Sequence, residues 1–435
     1  MGVDQRVYSS NHSILNLKLL QDRTHIPLDR ESPVFVQIEV SPDQTTKIKQ
    51  RDNHICLVID CSGSMRDEDR MEQAKSAAIN LVRKLSSSDL VSIVQFDTTA
   101  EEILEPKPAF EHKYIEDIIN SIDIGGATAM HEGISVAFSR PIARVQQRSP
   151  DMINRMILIT DGDPTIGPTD DDDFTQLAEE VRNGGISLDT IGVGEEYGQN
   201  EEHGQLLRKI AECGGGAWEH ASDPEELTKI VETKYTEMAK TVITNPKLEL
   251  TLLASAELDE MYTVKPTINR IENLQRNGNT VSIGLKDILK DEEQAVVLQM
   301  TIPPGNGTNL PLLRATILED NTEIASKAIE ISYSSDKLLC KRLNESVFWA
   351  FYSMKGTVLR RDEIDGDKSA GEEADRITKL LPDPDKDWDG LGQETVTHLS
   401  KFSGKDTDTI SKSNKTKLKH DTTFIDDHDN DTQRG

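Results

Sequence analysis

Apolar and polar positions alternate in SILNLKLL and again in VFVQIEV, within residues 1–47, so that Val34, Val36, Ile38 and Val40 share one face. A period of two predicts half-buried antiparallel strands. Over residues 48–240 the pattern changes to short continuous apolar runs: ICLVI (55–59), LVSIVQF (90–96), MILIT (156–160) and ISLDTIGV (186–193). Runs rich in Ile and Val are those of strands covered on both faces. Between the first two, MEQAKSAAINLVRKL places Met71, Ala74, Ala78, Leu81 or Val82, and Leu85 at helical spacing. This alternation predicts a doubly wound, Rossmann-like α/β domain on a parallel sheet.

Strand patterning returns over 241–334 in KLELTLL, TVSIGL, AVVLQMTI and LRATIL, with Asn277-Gly278 and Pro303-Pro304-Gly305 as turns. The strands of 1–47 are too few to close a core alone. They are expected to join the later ones, which makes the α/β domain an insertion in a β-sandwich. Residues 335–382 read as a helical hairpin, with the aromatic-dense SVFWAFYSM in its first arm and SAGEEADRITKLL in its second. The stretch 383–435 is rich in Asp, Lys, Ser and Thr and poor in apolar residues, too poor to offset chain entropy, and is expected to be disordered.

Charge narrows the partners. The 435 residues carry a formal net charge of -28, which disfavours nucleic acid and anionic membrane surfaces. The N-terminus MGVDQRVYSS lacks a signal-peptide pattern, and its Arg6 breaks the fuller myristoylation pattern. With no window as long as a membrane span, a cytoplasmic protein is expected. The four cysteines, Cys56, Cys61, Cys213 and Cys340, have no metal-ligand spacing and suit a reducing compartment.

Three strand ends of the α/β segment deliver oxygen donors: Asp60, Ser62 and Ser64 after the first, Thr128 in the loop IGGATAM, and Asp161 after MILIT. Loops at the carboxyl ends of neighbouring strands converge on one crevice in such sheets, so groups distant in sequence can meet. Two carboxylates with two or three hydroxyls and no His or Cys set describe a hard-oxygen site for Mg²⁺, with Mn²⁺ or Ca²⁺ as further candidates; zinc fits poorly. The ordered set D-x-S-x-S at Asp60 to Ser64, a threonine after a Gly-Gly pair, and T-D-G at Thr160 to Gly162 resembles the von Willebrand factor A domain. That resemblance implies a metal-ion-dependent adhesion site on Asp60, Ser62, Ser64, Thr128 and Asp161. It also implies an open coordination position that an acidic side chain of a partner protein fills, hence a non-enzymatic interaction module or scaffold.

Two rivals compete for these residues. D-x-S-x-S alone is equally well a helix cap and turn. LITDGDPT resembles the D-x-D-x-T motif of haloacid-dehalogenase-type phosphatases, which would make Asp161 the nucleophile of a Mg²⁺-dependent phosphohydrolase, with Glu195 and Glu196 as the later acidic pair. That rival leaves D-x-S-x-S unexplained and lacks a strand-end lysine. Cys61 is expected to be a buried small side chain, His131 to have no role, and Asp170 to Asp173 to mark a helix start.

The C-terminal stretch adds weaker signals. DKDWDGLGQETV (385–396) opens like an EF-hand loop but ends in Val396, without the bidentate Glu. Thr422 to Ile425 and Thr423 to Asp426 suit phosphorylation by a Ser/Thr kinase and reading by a forkhead-associated (FHA) domain. The stretch is similar to the Thr-rich tails of some prokaryotic von Willebrand A proteins linked with such kinases.

Overall fold

The computed structural model describes residues 14–43, 51–194, 203–271, 274–319, 321–364 and 367–380. The readings for the stretch after 380, and for Glu195 and Glu196, lie outside the described residues. The chain divides into two compact units, one formed by 48–246 with 284–289 and the other by the remaining segments.

The first strands are β1 (Leu15–Gln21), β2 (His25–Pro27) and β3 (Ser32–Pro42). The α/β unit follows with β4 (Asn53–Asp60), α1 (Arg70–Lys84), β5 (Leu90–Phe96), β6 (Ala100–Pro108), α2 (His112–Asn120), α3 (Met130–Ala137), α4 (Ala143–Arg148), β7 (Ile153–Thr160), α5 (Asp171–Asn183), β8 (Ser187–Val193), α6 (His203–Cys213), β9 (Gly215–Ala221), α7 (Pro224–Lys240) and β10 (Thr241–Ile243). Its main sheet runs β6-β5-β4-β7-β8-β9. The first strand of the unit therefore lies in the middle, between β5 and β7, and the connections diverge from it to both sides. That is the switch point at which ligand crevices open in such sheets.

The sheet is mixed rather than wholly parallel, because β6 runs antiparallel to β5. Only residues 97–99 link the two strands, and Asp97 N donates to Thr99 O at 3.0 Å within that link. A parallel partner would need a crossover of a dozen or more residues.

Each apolar run splits its side chains between two cores. Ile55, Leu57 and Ile59 of β4 pack with Met71, Ala74, Ala78 and Leu81 of α1 and Leu227 and Val231 of α7. Cys56 and Val58 face the other way, onto Ile134 of α3, Phe174 and Val181 of α5 and Ile210 of α6. Both faces are dry, which is why these strands carry no polar alternation. Helix α7 starts where Asp223 accepts from Glu225 N and Glu226 N, both at 2.9 Å, with Pro224 in the first turn. The segment Gly284–Leu289, though distant in sequence, belongs to this unit: its strand β16 (Ile288–Leu289) pairs with β10. Asp287 accepts there from Asn245 N at 2.9 Å and from Ser187 Oγ at 3.1 Å.

The second unit takes up β1–β3 and continues with β11 (Lys247–Leu252), β12 (Glu257–Lys265), β13 (Asn269–Arg270), β14 (Gln275–Asn277), β15 (Thr280–Gly284), then, after β16, β17 (Gln294–Ile302), β18 (Leu310–Glu319) and β19 (Thr322–Ser334). They form a five-stranded sheet, β1-β3-β17-β12-β13, and a six-stranded sheet, β14-β15-β11-β18-β19-β2. Strand β3 pairs antiparallel with β17, Val36 opposite Leu298. Strands from before and after the α/β segment thus share one sheet.

Three helices close this unit: α8 (Lys337–Cys340), α9 (Glu345–Ile364) and α10 (Lys368–Leu380). Phe351 of α9 stacks on Phe35 of β3 with ring centroids 4.9 Å apart, among Tyr262, Val264 and Val297. The aromatic density of SVFWAFYSM is therefore core packing. Ion pairs from Arg360 to Asp375 and from Lys355 to Glu373 tie α10 to α9.

Candidate metal centre

Asp60 is the last residue of β4, and Asp161 directly follows β7, the strand beside it. The crevice between two parallel strand ends thus receives a carboxylate from each. Asp60 is fully buried. Its Oδ1 accepts from Ser62 N at 2.8 Å and its Oδ2 from Thr160 Oγ1 at 2.5 Å. Ser62 Oγ lies 3.1 Å from Ser64 Oγ, and Ser64 Oγ donates to Asp161 Oδ1 at 2.8 Å. The side-chain oxygens of Ser62, Ser64 and Asp161 form one hydrogen-bonded run, and Asp60 joins it through the Ser62 backbone amide.

The fifth, Thr128, is buried and joins through its loop. Gly63 N donates to Gly126 O at 2.9 Å, and Gly125 N donates to Cys61 O at 2.6 Å, which ties the Thr128 loop to the loop after β4. On its other side, Thr128 N donates to Thr165 Oγ1 at 2.9 Å and Thr165 N to Thr128 O at 3.0 Å. The glycine pair also lets this loop lie against the 97–99 link between β5 and β6. A Cβ on Gly125 would stand 1.8 Å from Asp97 Oδ2, and one on Gly126 would stand 2.9 Å from Thr98 Oγ1.

Burial pushes the Asp60 carboxyl up to about 6, against the lowering pull of the Thr160 hydroxyl and the Ser62 amide and hydroxyl. Asp161 is likewise raised by burial, opposed by Ser64 and Arg70. Two carboxylates whose ionised forms are penalised by burial, lined by hydroxyls, match the donor chemistry of a hard divalent cation. Among the described residues there is no group of three or more His, Cys, Asp or Glu placed to hold a metal ion, so the donor set here is two carboxylates with hydroxyls.

Arg70 is a member of the site that the sequence reading did not nominate. Its guanidinium is buried, with Nη1 3.0 Å from Asp161 Oδ2 and Nη2 3.1 Å from Glu68 Oε2. Thr160, the first letter of T-D-G, is a second such member: its hydroxyl holds Asp60 in place. A strand-end threonine one position before a site aspartate and the second arginine of the run RDEDRM were the available signals.

Other nominated groups have ordinary roles. Cys61 is buried, its thiol donates to Phe96 O at 3.2 Å, and burial pushes it up to about 12, which keeps it protonated and unreactive. His131 packs edge-on against Phe174, with centroids 5.4 Å apart. Asp171, Asp172 and Asp173 occupy the first turn of α5, with Asp170 as its cap position. Thr165 of the DGDPT string serves the Thr128 loop.

Residues 54–233 match the family model described as von Willebrand factor type A domain, and that segment is a domain of this family. An uncharacterized protein of Synechocystis sp. is 26% identical over 249 residues, covering 57% of this chain and 56% of the relative. The uncharacterized protein YfbK of Escherichia coli is 26% identical over 248 residues, covering 53% of this chain and 42% of the relative. The chain thus spans about half the length of these curated relatives. A solved structure titled von Willebrand factor type A from Catenulispora acidiphila superposes with a TM-score of 0.71, covering 96% of this chain and 98% of that one at 18% identity. At that identity the likeness speaks for the fold alone. Among the described residues, no helix is long and apolar enough to cross a membrane.

Proposed function

We propose that this chain is a metal-dependent protein-protein interaction module. In this reading Asp60, Ser62, Ser64, Thr128 and Asp161 hold a divalent cation, Mg²⁺ by donor chemistry, and a Glu or Asp of a partner protein completes its shell. The observation that carries it is the run of bonded oxygens from Ser62 through Ser64 to Asp161, with Asp60 held to it by the Ser62 amide, at the sheet's switch point. When bound, the cation supplies an electrophilic position that an external carboxylate can fill. The protein's part is to fix the oxygens. Thr160 orients Asp60, Ser64 orients Asp161, and the Gly125-Gly126 turn sets Thr128 against the loop after β4. Ser62, Ser64 and Thr128 contribute neutral donors, whereas the two aspartates contribute the charge.

The reading is non-enzymatic. Asp161 is held between a serine hydroxyl and a guanidinium, an arrangement that favours a fixed carboxylate over an attacking one. We further read the second unit's two sheets as a β-sandwich carrying the domain, with the protein in the cytoplasm and its Thr-rich C-terminal stretch as a target for a Ser/Thr kinase and an FHA-domain partner.

The test is retention of a partner protein on the immobilised full chain with Mg²⁺, with EDTA, and with Asp60→Ala. Retention lost in both latter cases supports the module. Retention indifferent to both would remove the metal from the interaction. Changing the threonines of 395–423 to alanine should abolish labelling by a Ser/Thr kinase, and undiminished labelling would refute the tail reading.

A further inference from the structure

The oxygen cradle contains a cation of its own. Arg70 opens α1, and its guanidinium is turned inward, 5% exposed, onto a carboxylate that is itself completely covered. Nη1 meets Asp161 Oδ2 at 3.0 Å, while the other oxygen of the same carboxylate accepts from Ser64. Glu68 shares the guanidinium from the outside, but its side chain is 53% exposed, so solvent screens its charge. The guanidinium rests against Gly194, at φ +115°, where a Cβ would stand 2.8 Å from Nε. Glu68 and Asp69, at φ 51° and 56°, turn the chain sharply into α1 just before it. Backbone in such conformations persists where surrounding contacts over-determine it, and here those contacts include the Arg70 ion pairs.

The charge count is the consequence. Asp60 and Asp161 bring two negative charges to the cradle and Arg70 returns one positive charge. Resting on the metal reading above, we propose that Arg70 is the site's resident counter-charge: by neutralising Asp161 it leaves a bound divalent cation with net positive charge, and so makes the site take an anionic ligand from outside. Without Arg70 the two aspartates match the cation by themselves. The cation is then held more tightly, and an incoming carboxylate meets a neutral centre. Arg70 thus trades cation affinity for ligand affinity, two readouts that move in opposite directions. A merely structural role would weaken both.

The experiment uses the full chain with Mn²⁺ as the cation and acetate as the carboxylate probe. Mn²⁺ affinity is measured by titration calorimetry or by the electron paramagnetic resonance of free Mn²⁺, with and without acetate, for wild type, Arg70→Gln, Arg70→Met and Arg70→Lys. Acetate that binds the loaded site must raise Mn²⁺ affinity by the same factor by which Mn²⁺ raises acetate affinity. Wild type should show this enhancement. Arg70→Gln, which keeps a donor for Asp161 without the charge, should bind Mn²⁺ at least about tenfold more tightly, the size expected of removing one unit charge a few ångströms from a divalent cation even at the dielectric of water. It should also lose the acetate enhancement. Arg70→Met serves as the second uncharged variant, and Arg70→Lys should behave as wild type. Uncharged variants with equal or weaker Mn²⁺ affinity, or with the acetate enhancement intact, overturn the inference. A wild-type chain that binds no Mn²⁺ fails at the first measurement, and the metal reading falls there together with this inference.

Discussion

Ser64 Oγ donates to Asp161 Oδ1 at 2.8 Å, joining the loop after β4 to the end of β7 across 97 residues of sequence. The bond holds the Ser64 hydroxyl and the Asp161 carboxylate in register. Ser64→Ala should therefore weaken Mg²⁺ binding by removing a donor and freeing Asp161, while leaving the chelated protein within about 1 kcal/mol of wild type, the usual worth of one hydrogen bond. Thermal unfolding with and without EDTA checks both halves. A Mg²⁺ response equal to wild type would remove Ser64 from the ligand set.

Asp60 gives the opposite signature. Burial raises it to about 6, so at neutral pH the metal-free fold carries a penalised charge. A group raised in the fold favours folding below its ordinary value of 3.8, and that contribution fades as pH rises through about 6. Asp60→Asn should accordingly raise the stability of chelated protein at neutral pH, by on the order of 2 kcal/mol, and abolish the response to Mg²⁺. Thr160 can turn its hydroxyl to Gly162 O, 3.2 Å away, to accommodate the amide. In wild type the Mg²⁺-induced stabilisation should grow between pH 5 and 7, since proton and cation compete for the same carboxylate. Calorimetric melts across that range would show it, and a flat response contradicts it.

His54 provides an independent acid sensitivity. It is buried between Asn154 Oδ1, 2.8 Å away, and Ser92 Oγ, 2.9 Å away, and burial lowers it to about 4. The stability it contributes as a neutral ring is complete above its ordinary 6.5 and is lost as pH falls from there through about 4. The total loss should be on the order of 3 kcal/mol. His54→Gln in an Asp60→Asn background should flatten the stability profile between pH 6.5 and 4. An unchanged slope would place the acid sensitivity elsewhere.

Arg155 anchors the sheet at the start of β7, away from the metal centre. It pairs with Asp189 at 3.4 Å, Glu237 at 3.1 Å and Asp287 at 3.7 Å, and Lys234 stands 3.8 Å from the same Asp189. Removing one partner of a buried network leaves its counter-charges stranded, at a cost of about 3–5 kcal/mol. Arg155→Met should lower the melting temperature in EDTA and in Mg²⁺ alike and keep the Mg²⁺ increment. Loss of that increment would show the network to be coupled to the site.

The parts legible in sequence are those fixed by local pattern. Four strands of the α/β sheet appeared as doubly covered apolar runs, and β5 fell on its expected residues 90–96. The two edge strands did not appear. AEEILEPKP of β6 is half-covered and charged, and GGAWEHA of β9 begins with glycines, so neither makes an apolar run. Asp60, Ser62, Ser64 and Asp161 stand out at strand ends and are linked by hydrogen bonds; the loop of Thr128 is tied to the loop after β4 only through the backbone of Gly125 and Gly126. Arg70 was hidden because an arginine in RDEDRM reads as a solvated charge. Only the fold shows that the turn before α1 aims it inward. Asp287 was hidden for the reason that no local pattern ties residue 287 to a strand a hundred residues earlier.

The most direct test of the central claim is titration of Mg²⁺ into the metal-free full chain, followed by calorimetry and thermal melting, for wild type and Asp60→Ala. The account predicts saturable binding to one site with a rise in melting temperature, both absent in Asp60→Ala. No saturable binding, or binding that survives Asp60→Ala unchanged, would contradict it.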